Sequence, residues 1–389
     1  FGLGFSQNVN AQDTTFTLQQ AISMAKENYP AIKVAQLGVE KQRALKATAY
    51  DFGTTSIYTG KEEVGNGELG IQNKIGIEQS NIDLFGIPAK SKLANKRVNL
   101  ALSAQSLTKK KIVKDVSIAW FRALYAKRKK DLYEDLDSLY ANFERAAQIK
   151  YKTNATSKIE YLSASAKYKQ LQVDIKMSES NYLMALQSLN QYLLYPKAFE
   201  IDERGMEENT DISMQDSLGN SPILDYYANN TDIAKSSWKV EKSGFLPKLN
   251  LEYKMQAIDG TSGFNAWQVG VSVPLLFFSQ NGKTKASRLN YEIAYQQYQQ
   301  KNIEVNNQYQ QKHSQYLVYK ELIDYYKKEA LPLADEQIKA STLAYKLGSI
   351  SYVQFIQSIE AAIMIKQDFL QQEEKLFELK AEIKYLIGK

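Results

Sequence analysis

The chain has 389 residues, with 49 Lys and Arg against 43 Asp and Glu, a net charge of +6, one histidine and no cysteine. Lack of cysteine excludes a disulfide, a thiolate metal site and a cysteine nucleophile, and the basic excess is interleaved with acids along helix-forming stretches, which reads as a solvated face and not as a nucleic-acid footprint. The 7 prolines and 19 glycines cluster at a few points, so long runs of helix formers have nothing to break them and two or three ordinary globular domains are not expected.

Residues 1–11 begin with apolar Phe1-Gly-Leu-Gly-Phe5 and reach Val9-Asn10-Ala11, small residues that suit cleavage before Gln12. They read as a residual signal or the end of an upstream apolar segment. A first structural repeat, 12–194, opens with Thr17 capping an amphipathic helix through Leu18, Ala21, Ile22 and Ala25. Tyr29-Pro30 interrupts it, and Ile32, Ala35, Val39 and Leu45 carry it on to about Tyr50. A β-hairpin follows over 52–85, with short alternations on either side of a Gly65-Asn66-Gly67 turn signal. From Ala89 to Lys150 there is neither glycine nor proline. As one helix at ~1.5 Å per residue, that stretch reaches about 90–95 Å, longer than any compact domain is wide. A tight turn at 151–157 leads into a returning helix, Ser157 to Leu193, with Ile159, Leu162 and Ala166 on its expected seam.

Residues 195–220 form an irregular, acidic connector. The second repeat, 221–389, carries a clearer hairpin over 248–278. Leu249, Leu251, Tyr253, Met255 and Ala257 face one way and Lys248, Asn250, Glu252, Lys254 and Gln256 the other. Beyond an expected Asp259-to-Gly263 turn, Trp267, Val269, Val271 and Val273 alternate with Gln268, Gly270 and Ser272. Then come a long helix from Lys283 to Tyr345, interrupted only by Pro332, a tip at 345–351, and a returning helix from Ser351 to Leu386 with Val353, Ile356 and Ile363 on its seam.

The two halves share one register. Tyr151 to Leu162 aligns with Tyr345 to Ile356 at an offset of 194 residues, and the same offset lays Ile75-Gly76-Ile77 on Val269-Gly270-Val271. Duplication of this length is an architecture. At the tips, Gly348 supplies a left-handed position, Asn154 stands at the matching place, and Ser157 and Ser351 are expected N-caps.

Period-two alternation with one apolar and one charged face suits a lipid-facing barrel strand, and equally a half-buried sheet on a soluble core. No helix-rich domain is left in the sequence to cover it, which favours the membrane. Four strands cannot close a barrel, and an open edge in hydrocarbon leaves backbone groups unsatisfied at several kcal/mol each. The chain must then borrow strands from identical neighbours, and three copies supply twelve. No apolar run approaches the ~20 residues of a membrane-spanning helix.

The duplication, the opening Thr17-Leu18-Gln-Gln-Ala21 with Tyr29-Pro30, and the tip sequences resemble those of the TolC-like outer-membrane efflux proteins, over nearly the whole chain from about Thr15. Val271-Ser-Val-Pro274 through Gly282-Lys is most similar to the cation-efflux branch of the CusC and CzcC type. The resemblance implies an α+β membrane protein: a trimeric 12-stranded β-barrel, four strands per chain, continued by a long periplasmic α-helical barrel. It implies an exit duct in the outer membrane that passively conducts metal cations or small toxic compounds. The implied partners are a second and third copy, a periplasmic adaptor, a proton-driven inner-membrane pump of the resistance-nodulation-division type, and outer-membrane lipid. The adaptor-docking tips would be Tyr151, Asn154, Ala155, Thr156 and Ser157, with Tyr345, Gly348, Ser349, Ile350 and Ser351.

The membrane-facing strand residues would be Leu249, Leu251, Tyr253, Trp267, Val269, Val271 and Val273. Where the family places entrance aspartates, six and nine residues past the tip glycine, this chain has Gln354 and Gln357, and the first copy has Glu160 and Ser163. These four are the candidate tunnel-entrance lining, and the glutamines cannot form a charged constriction. Two alternatives remain open: an outer-membrane component of type I protein secretion, and a soluble coiled-coil scaffold.

No enzyme signature is found. His313 stands among glutamines without a second ligand at metal spacing, and there is no phosphate loop, nucleophile elbow or carboxylate pair. Neither a cofactor nor a resident metal is expected.

Overall fold

A computed structural model describes residues 14–63, 71–204, 212, 218–274 and 277–389. The apolar start before Gln12, the Gly65-Asn66-Gly67 turn and much of the acidic connector lie outside the described residues. The elements are β1 (Thr14–Phe16), α1 (Leu18–Asn28), α2 (Pro30–Ala44), β2 (Thr54–Glu63), β3 (Ile71–Ile82), α3 (Ile87–Lys152), α4 (Lys158–Leu193), β4 (Phe199–Ile201), α5 (Pro222–Ser243), β5 (Lys248–Ile258), β6 (Thr261–Ser272), α6 (Phe278–Tyr325), α7 (Leu331–Lys346) and α8 (Tyr352–Ile387). The chain divides into two compact units.

The first unit comprises Phe1–Ile32, Thr108–Ser221 and Val305–Lys389. Thr17 caps α1 reciprocally with Gln20, and Tyr29 ends it, so that Pro30 opens α2 where its missing N–H costs nothing. One core gathers Ala21, Ile22 and Ala25 against Val116, Trp120, Phe121 and Leu124 of α3, Leu189 and Leu193 of α4, and Phe377 of α8. Into it fold β1 and β4, a parallel pair with Phe16 opposite Ile201. Neither strand is legible as such in the sequence, because three residues are too few to show alternation. The Trp120 indole N–H donates to the Phe16 carbonyl at 3.0 Å, giving the buried ring its polar partner.

The expected seam of the first returning helix is displaced. Ala164, Leu171, Ser178 and Leu189 are the buried positions of α4, while Ile159 is 76% exposed and Leu162 and Ala166 also face outward. On α8, Ile356 and Ile363 are buried as expected but Val353 is exposed. Each helix carries two apolar stripes, and periodicity does not say which one its own chain covers.

The long second helix is likewise interrupted before its proline. Tyr326–Ala330 widens into a π turn ahead of Pro332, a device that absorbs the loss of a regular helix hydrogen bond. That turn is tied down by charge. Glu373 is buried on α8 and accepts from Lys327 Nζ at 2.7 Å and from Arg128 Nη1 at 2.9 Å, while Arg128 also holds Glu203 at 2.8 Å. His313 is buried on α6 between Tyr309 and Tyr316, in a helix seam.

The second unit, Lys33–Leu107 with Pro222–Glu304, holds one antiparallel four-stranded sheet in the order β2-β3-β5-β6. The two hairpins of the repeat are joined by the β3–β5 pairing. Rows of partners run across it, such as Ile57–Ile77–Tyr253–Trp267 on one face and Ser56–Glu78–Glu252–Gln268 on the other. On the polar face Tyr58 lies over Gly76, where a Cβ would come within 2.6 Å of the ring, and its hydroxyl donates to Glu252, its own counterpart in the repeat. The second turn is tighter than the sequence suggests. Asp259 and Gly260 alone make it, at φ +49° and +77°, and Gly263 falls inside β6.

The two passages from strand to helix are locked differently. After β3, buried Asp83 accepts from Gly86 N at 2.9 Å and from Lys90 Nζ at 2.8 Å. After β6, the Gln280 amide donates to the Glu241 carbonyl at 2.5 Å. Each lock requires a glycine, Gly86 or Gly244, since a Cβ there would lie 2.2 Å from Asp83 Oδ2 or 2.5 Å from Gln280 Nε2.

Two outcomes follow from these charges. Glu373→Gln is expected to cost about 3 kcal/mol, low in the range for a broken buried pair because Lys327 is half exposed, read as a lowered unfolding temperature in detergent. Burial raises the Asp83 carboxyl, but Lys90 and the Gly86 N–H outweigh it and hold the group below its ordinary 3.8. Its contribution is therefore complete above that value and lost as pH falls through the lower folded one. Asp83→Asn should cost about 1–2 kcal/mol at neutral pH and flatten that acid limb in a pH series of melting curves.

Candidate functional site

Two places concentrate the residues singled out from the sequence: the paired helical tips of the first unit and the sheet of the second. At the tips the same backbone motif occurs twice. Asn154 at φ +57° and Gly348 at φ +74° end α3 and α7, with Ala155 N–H on the Lys150 carbonyl at 2.7 Å and Ser349 N–H on the Ala344 carbonyl at 2.9 Å. The reversal is a Schellman turn. Ser157 then caps α4 and Ser351 caps α8. Asn154, Ala155, Ser157, Gly348, Ser349 and Ser351 are exposed, whereas Tyr151, Thr156 and Ile350 are half-buried.

Tyr345 is different from its counterpart Tyr151. It is buried among Phe143, Phe355 and Tyr352, with ring centroids 5.4, 5.0 and 6.2 Å away. Tyr151 instead stacks on Tyr161 at 5.8 Å. The Tyr345 hydroxyl donates to Glu160 Oε1 at 3.3 Å, and Lys150 Nζ sits 4.4 Å from the ring centre. Burial, with the Glu160 carboxylate beside it, pushes this phenol up to about 12. A cavity of about 250 Å³ opens alongside, between Phe143, Ala146 and Lys150 on one side and Thr342 and Tyr345 on the other. Farther along, Lys167 of α4 pairs with Glu360 of α8.

The four candidate lining residues are not brought together within the chain. Glu160 also accepts from the Thr156 hydroxyl, so its carboxylate ties α4 to both tips. Gln354 closes the α8 capping box, its Oε1 accepting from Ser351 N at 2.9 Å. With Gln357 it lines a depression between α7 and α8. Ser163 is exposed and has no place in that depression. Lys150, which lies over the ring of Tyr345, and Lys167, which meets a residue 193 positions away, carry no local signal in the sequence.

In the sheet, Leu251, Tyr253, Trp267, Val269, Val271 and Val273 are all exposed and Leu249 is half-buried, with Trp267 at 78%. Tyr253 and Trp267 continue the row of Ile57 and Ile77, and Leu251 with Val269 and Leu249 with Val271 follow on the same face. Among the described residues no helix is long and apolar enough to cross a membrane, and no cluster of His, Asp and Glu could hold a metal.

Comparison with known proteins gives this geometry a class. Residues 213–376 match the family model described as Outer membrane efflux protein. The fold matches crystal structures of CusC, described with transmembrane channel formation, at a TM-score of 0.82 and 14% identity, covering 100% of this chain and 96% of that one. It also matches the outer membrane channel CmeC of Campylobacter jejuni (TM-score 0.77, 14% identity, 95% and 85% covered) and the outer membrane protein VceC of Vibrio cholerae (0.78, 13%, 95% and 96%). No curated protein resembles the sequence closely enough to count as a match. Residues 213–376 thus resemble the outer membrane efflux family, and the whole chain shares the fold of these channel structures.

The positive φ at Asn154 yields a test of the tip. Asn154→Ala should destabilise by about 1–2 kcal/mol while Asn154→Gly leaves the tip intact, distinguishable as faster against unchanged proteolytic nicking between Lys150 and Lys158.

Proposed function

We propose that the chain is one third of a homotrimeric exit duct, passively conducting substrates that a pump and a periplasmic adaptor deliver, through the periplasm and the outer membrane. The observation that carries this is the sheet. Its apolar face is exposed, and its outer strands β2 and β6 each present an edge that nothing among the described residues pairs. In hydrocarbon those edges must be satisfied, and the β2 edge of one copy and the β6 edge of the next are the strands available. The exposed stripe of α4, with Ile159, Leu162, Val173 and Met177, gives the helices a second apolar seam for a neighbour.

On this reading the tips at 151–157 and 345–351 dock the adaptor, with the exposed small and polar side chains Asn154, Ala155, Gly348 and Ser349 permitting close approach. Leu249, Leu251, Tyr253, Trp267, Val269, Val271 and Val273 face lipid. Glu160, Ser163, Gln354 and Gln357 lie near the tunnel entrance, where two glutamines in place of acids leave constriction to packing and not to a charged ring. The resemblance to the cation-efflux branch supports a proton-driven pump of the resistance-nodulation-division type and metal cations or small toxic compounds as cargo.

Because the chain has no cysteine, one cysteine in β2 and one in β6 report directly on the edges. Paired scanning over Thr54–Glu63 and Thr261–Ser272 should give an oxidised ladder that ends at three chains, together with stable conductance in planar bilayers. A ladder absent at every register, or protein that stays monomeric without detergent, would sink the proposal.

A further inference from the structure

The sheet has two ends, and they differ. By the antiparallel register, the start of β2, the end of β3, the start of β5 and the end of β6 lie together, with Thr54 opposite Ser80, Ile82 opposite Leu249 and Lys248 opposite Ser272. All four passages between strand and helix are at this end. The flanking segments 41–53, 83–97, 237–248 and 273–290 hold 13 lysines and arginines against 3 acids, a net +10 where the whole chain carries only +6. Lys96 and Arg288 are paired with Asp232 and Glu292 just beyond these segments, which leaves a net +8 at this end, still more than the whole chain carries.

The same segments expose aromatic side chains. Tyr50 and Phe52 lead into β2, Phe85 follows β3, and Phe278, 85% exposed, follows β6. Aromatic rings next to lysines at the rim of an apolar sheet face suit the boundary between hydrocarbon and headgroups.

The placement of charge on the helices points the same way. Basic residues in the last turns of α2 and α5 sit where helix dipoles favour them. The starts of α3 and α6 are the opposite case. Neither has an acid in its first turn, and within three turns they carry Lys90, Lys92 and Arg97, or Lys283 and Lys285, against their dipoles. Lys90 is neutralised by Asp83, whereas Lys92, Arg97, Lys283 and Lys285 are exposed. Folding alone gives no return for that arrangement; an external layer of anions does.

We infer that this end of the sheet is a collar that binds the anionic phospholipid headgroups of the leaflet from which the helices emerge, the rings setting depth and the cations holding phosphodiesters. The inference rests on the membrane-embedded reading of the sheet and adds a lipid class to it. It treats anionic phospholipid as a specific ligand, not only as solvent for the barrel.

The test is binding of fluorescent short-chain phosphatidylglycerol and phosphatidylcholine to the full-length protein in neutral detergent, by anisotropy, at low and high salt. Phosphatidylglycerol should bind at least ~10-fold tighter at low salt, given about 1 kcal/mol per basic residue near an anionic surface, and the preference should fade in high salt. The variant K92Q/R97Q/K283Q/K285Q should lose the preference, and K92Q/R97Q and K283Q/K285Q about half of it each should the fourfold variant fold poorly. K152Q/K158Q/K346Q, which removes charge at the tips, should keep it. Equal binding of the two lipids, or equal loss in the tip variant, overturns the collar. So does a fourfold variant with unchanged lipid preference and altered ion selectivity, since its cations would then face the lumen. Conductance of the wild-type protein, measured in parallel, separates the two readings: a conducting protein without lipid preference loses only the collar, and one that never inserts loses both.

Discussion

The constraint on which the rest depends is the fate of backbone hydrogen bonds at the two edges of a four-stranded sheet. A sheet of four strands with both edges open is tolerable in water and not in hydrocarbon, where each unpaired N–H or C=O costs several kcal/mol. The apolar row running across all four strands, Ile57–Ile77–Tyr253–Trp267, is what the proposed membrane reading rests on. On that reading, residence in a membrane requires partners for both edges. Duplication makes this economical, since one hairpin per repeat, joined by β3 and β5, doubles the strands that each copy contributes.

The helices obey a related rule. On the proposed reading a helix in the wall of a tube has neighbours on both sides, so it needs two seams, and one chain covers only some of them. That reading accounts for α4, which buries Ala164 and Leu171 while Ile159 and Leu162 stay exposed. Against this background of unfilled faces, the first unit is held by specific devices: a cap at each tip, the buried Glu373 shared by Arg128 and Lys327, and Tyr345 fixed between Glu160 and Lys150. The two repeats differ in these devices. Asp83 locks one strand-to-helix passage and Gln280 the other; Asn154 turns one tip and Gly348 the other. The shared backbone shape tolerates either chemistry, because each site needs only that its hydrogen bonds be made.

Much of this is legible in the chain. Strict alternation from Lys248 to Ala257, the caps Thr17, Ser157 and Ser351, the left-handed Asn154 and Gly348, and the long runs without glycine or proline are local signals, each set by a backbone preference within a few residues. Other features leave no local trace. The strands Thr14–Phe16 and Phe199–Ile201 are too short for a period, and the tight Asp259-Gly260 turn hides inside a longer polar stretch. The capping role of Gln354 is masked by its place in a family pattern. Lys167 with Glu360 and Arg128 with Glu373 join residues far apart in sequence, and a charge among many on a helix does not announce its partner.

By itself, then, the sequence determined the elements, their order, their twofold repetition and the membrane-compatible face of the sheet, because propensity, capping and alternation act over short distances. Only the tertiary structure decided which of two apolar stripes each helix buries and which charges become clasps. It also decided that one end of the sheet gathers the basic and aromatic residues, because these depend on which distant segments meet, and on that local preference is silent.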